Sequence, residues 1–266
     1  MQLELLSQSD LETLSGLIKD ARNIIVCCHK SPDGDAIGSS LAWADSLRQV
    51  GKDPLVIVPD AFPDFLRWMP GVEKVMRYDK HTALCNARMA EADLIFCLDF
   101  NATSRVDDMQ QALDKATAQR GVFDHHLNPQ INARLLVSFP LMSSTCEIVF
   151  RIVWQLGGFD LLTRQAAVAV YCGMMTDTGG FTYNSTRPEI YVIIGHLLTK
   201  GFDKDKVYRK VYNNYSSWAI RFRGYLMSQK LNVLNELNAS YFCITRQDMK
   251  NFHFVKGDAE GLVNEP

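Results

Sequence analysis

An α/β fold, a mostly parallel sheet covered by helices on both faces, follows from two features of this 266-residue chain. Short apolar runs rich in β-branched residues alternate with helical patterns through the first two thirds, and strands separated by helices pair most readily in parallel. Carboxylates and imidazoles come directly after several of those runs, where open parallel sheets place their ligands.

In chain order, the runs at 23–28, 55–58, 93–98 and 121–123 predict strands, with the less apolar 134–138 a further candidate. Residues 36–50 set Ile37, Leu41, Ala44 and Leu47 on one helical face and stop at Gly51, a C-terminal signal. Ser144 with Glu147 reads as a capping box ahead of Ile148-Val149-Phe150, which makes Glu147 a cap rather than a catalyst. Thr163 or Asp160 opens the next helix, which runs through 166–175 and delivers Asp177 just before Gly179-Gly180. A carboxylate there opposes the helix dipole, so Asp177 needs an offsetting partner such as a cation.

Three short amphipathic helices at 188–200, 204–213 and 218–230 form a connector over 187–230. Strand-like runs at 231–237 and 241–245 then begin a further unit over 231–266, too short to bury a core of its own. The expected organisation is therefore a catalytic domain over 1–186, the connector, and an incomplete start of a second domain. Tyr208, Tyr212, Tyr215 and Trp218 in the connector fit a homodimer interface as well as packing inside the chain.

Composition narrows the partners. A formal net charge of -2 argues against broad binding of long duplex nucleic acid, while leaving room for a local pocket for a short anionic ligand. The first twenty residues lack the basic start and apolar core of a secretory signal, and the longest apolar stretch, 166–175, is too short to span a bilayer. The seven cysteines are odd in number, lack C-x-x-C spacing and mostly lie in apolar stretches, so they read as reduced core residues of a cytoplasmic protein.

Four chain segments offer hard ligands: His29-x-x-x-Asp33-x-Asp35, Asp99, Asp124-His125-His126 and Asp177. Each has a purely structural alternative. Asp35 serves equally as a helix N-cap, Asp33-Gly34 as a turn, Asp99 as a cap and Asp177 as a solvated helix end. Taken together they point to one site, because parallel strand ends converge.

Two divalent ions about 3.5–4 Å apart clamp the attacking and leaving oxygens of a phosphoryl displacement and share a carboxylate. The allotment expected here gives His29 and Asp33 to one ion, Asp35, His125 and Asp177 to the other, and Asp99 to both. The four aspartates balance two divalent cations and leave room for a bridging hydroxide as nucleophile. Asp124 is expected to orient the ligating histidine, and His126 to meet the substrate phosphate as a contact or acid. Arg105, with Lys30 and Arg187, is a candidate phosphate contact. Asp and His ligands suit Mn²⁺, Mg²⁺, Fe²⁺ or Zn²⁺. No P-loop, dinucleotide-binding glycine motif or G-x-S-x-G elbow is present, so nucleotide-driven transfer, dinucleotide redox chemistry and serine-nucleophile hydrolysis all lack their machinery.

The segments His29-Lys30-Ser31-Pro32-Asp33-Gly34-Asp35-Ala36-Ile37-Gly38-Ser39, Asp99, Asp124-His125-His126 and Met175-Thr176-Asp177-Thr178-Gly179 resemble the four motifs of the DHH phosphoesterases. Together with Ser144-Thr145-Cys146-Glu147-Ile148, they look most like the bacterial nano-RNases, which are oligoribonucleases and 3'-phosphoadenosine 5'-phosphate phosphatases also described as exopolyphosphatase-related proteins. The resemblance implies Mn²⁺ as the cofactor and 3'-to-5' trimming of very short RNA, or attack on small phosphorylated nucleotides, in the cytoplasm. It also implies a second domain carrying Gly-Gly-Gly-His, a motif this chain does not contain; residues 256–263 resemble only the start of that domain. The same bimetal core would serve linear or cyclic dinucleotide cleavage, pyrophosphate or polyphosphate hydrolysis, or metal and RNA binding without turnover.

Overall fold

A computed structural model describes residues 3–259, 261 and 262. Of the residues resembling the start of a second domain, Glu260 and Val263 lie outside that set.

Ser7 caps α1 (Gln8–Asp20) by accepting from the Asp10 amide, and α1 leads into β1 (Ile24–Cys27). Then come α2 (Gly34–Gln49), β2 (Leu55–Val58), the two-residue β3 (Met76–Arg77), α3 (Tyr78–Ala90) and β4 (Leu94–Leu98). They are succeeded by α4 (Gln110–Lys115), β5 (Gln119–Asp124), β6 (Leu135–Ser138), α5 (Thr145–Gln155) and α6 (Arg164–Asp177). β1 and β4 are buried at every position, which is why they read as unbroken apolar runs rather than as alternating patterns.

All six strands pair in parallel, in the order β3-β2-β1-β4-β5-β6. The chain winds outward from β1 to β3, then returns to β4 and winds the other way, so the switch point falls between β1 and β4. Ligands of doubly wound sheets bind at that crevice, beyond the carboxyl ends of the strands. The register fixes which residues meet there. Cys27 pairs with Cys97 and Leu98 with Phe123, which brings His29, Asp99 and Asp124 to one level of the sheet.

Helices cover both faces. On one side α2, α5 and α6 bury Trp43, Phe150 and Met174 against the sheet, and Trp43 meets Phe96 and Phe123 edge-on at 5.1 and 5.0 Å. On the other, Cys85 and Met89 of α3 and Leu113 of α4 pack on Ile25, Ile95 and Val122. The first core continues into α7 (Pro188–Leu198) and α8 (Lys204–Tyr212) through Ile190, Ile193, Leu197, Val207 and Val211.

Farther along, α9 (Ser217–Tyr225) unwinds into one π turn at Leu226–Lys230 where a longer helix is expected. Next is an antiparallel hairpin of β7 (Leu231–Leu234) and β8 (Ala239–Phe242), turning at Asn238 with φ +47°, and then α10 (Arg246–Asn251). Phe222, Leu226 and Leu262 form a small separate cluster with Phe242, Phe252 and Phe254 packed on it. All seven cysteines are free, and only Cys243 is exposed. No helix among the described residues is long and apolar enough to cross a membrane.

Candidate metal centre

The chain end of β1 places His29, which is 6% exposed. Its Nδ1 lies 2.8 Å from the Lys30 carbonyl, which can only accept, so Nδ1 carries a proton and Nε2 is the nitrogen that a cation would take once its own proton is displaced. Nε2 faces Asp33 Oδ2 at 3.8 Å and Asp99 Oδ2 at 3.5 Å.

Asp33 divides its two oxygens. Oδ1 caps α2 by accepting from the Asp35 and Ala36 amides, both at 3.0 Å, while Oδ2 turns to His29. The cap of α2 is thus Asp33, not Asp35. Asp35 lies in the first turn of α2 and reaches across to the start of α5, accepting from the Thr145 amide at 2.6 Å and the Cys146 amide at 2.8 Å. Those amides are unpaired within α5, so the carboxylate satisfies them and sits at the positive end of the helix dipole.

Asp99 is the hub. It is 1% exposed and takes φ +65°, a left-handed conformation that costs most non-glycine residues but suits Asp and Asn. Its amide donates to the Phe123 carbonyl at 3.0 Å, and its Oδ1 accepts from Thr145 Oγ1 at 2.9 Å. His125 Nε2 stands 3.5 Å from Asp99 Oδ1, 3.2 Å from Asp177 Oδ2 and 4.0 Å from Asp35 Oδ2.

Two three-residue clusters result: His29, Asp33 and Asp99 in one, and Asp35, His125 and Asp177 in the other; within each, one ligand atom per residue lies within 4.8 Å of the rest. A third such group, Asp99, His125 and His126, overlaps both and runs through the hub. This donor set fits divalent cations: hard oxygens and imidazole nitrogens converge on each position, and among the described residues no lysine or arginine forms an ion pair with these carboxylates.

Charge in the cluster is distributed accordingly. Burial works against a proton on His29, but the hydrogen bond and charge of Asp99 and the charge of Asp33 outweigh it and push its pKa up to about 9. His125 is raised for the same reason, by Asp99, Asp35 and Asp177. Burial and the neighbouring aspartates raise Asp35 and Asp177, whereas the two imidazoles hold Asp99 far below the usual carboxylate range despite its burial.

Four of these groups thus keep protons near neutrality that a cation must displace. Cation affinity should rise steeply from pH 6 to 9, with protons released on binding, measurable by titration calorimetry in two buffers of different ionisation enthalpy. A pH-independent affinity would count against the cluster. In the cation-free protein the raised pKa of His29 contributes stability that is full below about 6.5 and lost as pH climbs through about 9.

Of the two remaining DHH residues, Asp124 departs from expectation. Asp124 pairs with His126, whose Nδ1 donates to Asp124 Oδ1 at 2.7 Å, and not with the ligating His125. His125 Nδ1 instead faces the Met142 carbonyl at 3.4 Å. The turn after β5 sends adjacent imidazoles in different directions, so the fully buried Asp124 carboxylate meets the second ring. Arg105 lies in the 3-10 turn Thr103–Met109; its carbonyl accepts from the Lys30 amide at 2.8 Å, and its exposed side chain forms no ion pair among the described residues.

Glu147 also differs from expectation. Ser144 does cap α5, accepting from the Glu147 amide at 3.0 Å, but the Glu147 carboxylate does not reach back to complete the box. It is fully buried and accepts from the Ser143 amide and hydroxyl at 2.8 and 2.7 Å, from Arg151 at 2.9 Å and from Arg187 at 2.6 Å. Ser143 comes directly after Met142, whose carbonyl faces His125, so the second cluster rests on this network.

α2 and α6 cross closely enough that Gly173 touches the centre. A Cβ there would lie 2.2 Å from Cys146 Sγ and 2.9 Å from Asp35 Oδ1. Gly173→Ala is therefore expected to destabilise by about 1–3 kcal/mol through overpacking and to weaken the cation position that uses Asp35. Thermal melts with and without Mn²⁺ check this, and pairing the change with Cys146→Ala should recover most of the lost stability.

Known proteins share this fold and sequence pattern. An exopolyphosphatase-related protein from Bacteroides fragilis is 44% identical in sequence and superposes with a TM-score of 0.93, over 98% of this chain and 76% of that one. The bifunctional oligoribonuclease and PAP phosphatase NrnA of Thermus thermophilus is 31% identical over 193 residues, 67% of this chain and 50% of that protein. NrnA of Bacillus subtilis is 24% identical over 243 residues, 90% of this chain and 72% of its own length. This chain thus spans only half of the Thermus relative. Residues 23–174, more than half of the chain and including every candidate ligand but Asp177, match the DHH family, N-terminal domain, and the chain belongs to that family.

Proposed function

We propose that this protein is a metal-dependent phosphoesterase that hydrolyses short oligoribonucleotides and 3',5'-bisphosphonucleotides. One observation carries the reading: six side chains from four separate chain segments converge into two cation-sized clusters joined at Asp99. The names of the Thermus and Bacillus relatives support the substrate class.

His29, Asp33 and Asp99 would hold one divalent cation, and Asp35, His125 and Asp177 with Asp99 the other, Mn²⁺ being the preferred candidate. Such a pair supplies Lewis-acid charge to the phosphoryl oxygens and lowers the pKa of water. The rest belongs to the chain. His29 Nδ1 and the Lys30 carbonyl fix one imidazole, the Met142 carbonyl faces the other, and the α5 amides hold Asp35. Asp124 holds His126 by Nδ1, which leaves its half-buried Nε2 edge to contact a substrate phosphate or protonate a leaving oxygen. Arg105 contributes an exposed guanidinium beside the first motif for a phosphate.

Turnover of a dinucleotide RNA, 3'-phosphoadenosine 5'-phosphate, a cyclic dinucleotide and pyrophosphate should be assayed side by side with Mn²⁺. Hydrolysis of the first two is expected. Pyrophosphate as the sole substrate would overturn the nucleotide reading, and no turnover of any would leave a metal- and RNA-binding protein.

A further inference from the structure

Beside the metal centre lies a cavity of about 550 Å³ that the ligand arrangement does not use. Its inner wall includes Asp33 and Asp177, one residue from each cation cluster, so it opens directly off both positions. The lining is also aromatic, with Phe65, Tyr183, Tyr212 and Tyr215, and includes Arg223.

Tyr183 comes from the loop after α6 and Tyr212 and Tyr215 from the end of α8 and just beyond it, and each ring is individually placed. Gly179 takes φ +55°, and a Cβ there would fall 2.2 Å from the Tyr183 ring; the ring therefore lies against a bare backbone. The Tyr212 hydroxyl donates to the Met175 carbonyl at 3.1 Å, which anchors that ring to the end of α6. The Arg223 guanidinium lies 4.7 Å from the centre of the Tyr215 ring. Tyr183 and Tyr215 are nonetheless 47% and 38% exposed, so they keep surface for a ligand. Trp218, by contrast, meets His253 edge-on at 4.5 Å and lies outside this lining.

We infer that this cavity is a nucleobase subsite, in which a base stacks on Tyr183 and Tyr215 while its phosphate lies at the cation clusters. The inference rests on the phosphoesterase reading for the place of the phosphate. Three features select a base over other substituents. The volume is within the range of small-molecule pockets, about 300–1,000 Å³, and well beyond the space a second inorganic phosphate requires. Half-exposed tyrosine faces accept any planar π system, whatever its sequence identity. Arg223 lies over the Tyr215 ring and so helps to hold that stacking surface in place.

The test compares binding of adenosine 5'-monophosphate and ribose 5-phosphate to the Mn²⁺-loaded protein by equilibrium dialysis. Phosphate contacts cancel in the ratio of the two Kd values, which reads the base alone. The wild-type ratio should favour the nucleotide by about tenfold or more. Tyr183→Leu and Tyr215→Leu should each cut the ratio by about fivefold or more, and Tyr215→Phe should keep it. A wild-type ratio near one, or a ratio unchanged in both folded leucine variants, overturns the subsite. Hydrolysis of nucleotides without such a ratio would sink the subsite alone; the ratio without hydrolysis of any phosphoester would sink the enzyme reading alone.

Discussion

Asp99→Ala should abolish cation binding at both clusters and lower phosphoester turnover by about 10³-fold or more, the loss of several kcal/mol of charge stabilisation. Asp99 stands 3.5 Å from both His29 Nε2 and His125 Nε2, and among the described residues no other carboxylate faces both imidazoles. Alanine has a second effect, because the backbone at 99 is left-handed, with φ +65°, and Asp tolerates that conformation better than Ala. Asp99→Asn separates the two. Asparagine matches the volume and suits the left-handed region, and its amide can still meet Thr145 Oγ1, but it brings no charge. Both variants should titrate without the two-equivalent Mn²⁺ endpoint expected of the wild type, and the asparagine variant should melt at the higher temperature of the two. A two-equivalent endpoint in Asp99→Asn would show that Asp99 does not bridge.

The candidate ligands are legible in the sequence because parallel strands buried on both faces leave unbroken apolar runs, and the residues just past the end of such a run lie at the ligand-binding edge. His29 after β1 and Asp99 after β4 need only that rule. The features the sequence hides depend on turn geometry or distant partners. Asp124 is adjacent to two imidazoles, and local sequence alone does not say which ring rotates onto its carboxylate; the turn after β5 selects His126. Met76–Arg77 pairs with β2 over only two residues, too few for any periodicity. The tyrosine-lined cavity joins residues 33, 183, 215 and 223, so its parts read separately as helix faces and loop residues. Glu147 shows how a good local match misleads. Ser-x-x-Glu ahead of an apolar run is the capping-box pattern, and the serine half holds, but burial gives the carboxylate stronger partners in Arg151 and in Arg187, forty residues on.

Those partners make Glu147→Leu the most damaging change expected outside the ligand set. Glu147 is fully buried and accepts from two guanidiniums, Arg151 at 2.9 Å and Arg187 at 2.6 Å; the Arg151 side chain is only 4% exposed. Removing the carboxylate breaks a buried ion pair from one side, a class of change that costs about 3–5 kcal/mol. For a chain of this size that corresponds to a fall in Tm of about 6–20 °C. Glu147→Gln retains acceptors for Ser143 and one arginine but no charge, so it should lose less. The consequence reaches the metal centre by a short route. Glu147 pins the Ser143 amide and hydroxyl, Met142 precedes Ser143, and the Met142 carbonyl faces His125 Nδ1. Arg187 Nη1 also lies 3.6 Å from Met142 Sδ, which ties the same loop from its other side. Glu147→Gln should therefore weaken the second Mn²⁺ equivalent, held by Asp35, His125 and Asp177, more than the first, held by His29 and Asp33. A merely structural role would lower Tm and leave both equivalents with their wild-type affinities, so calorimetric Mn²⁺ titration of the folded glutamine variant decides between the two.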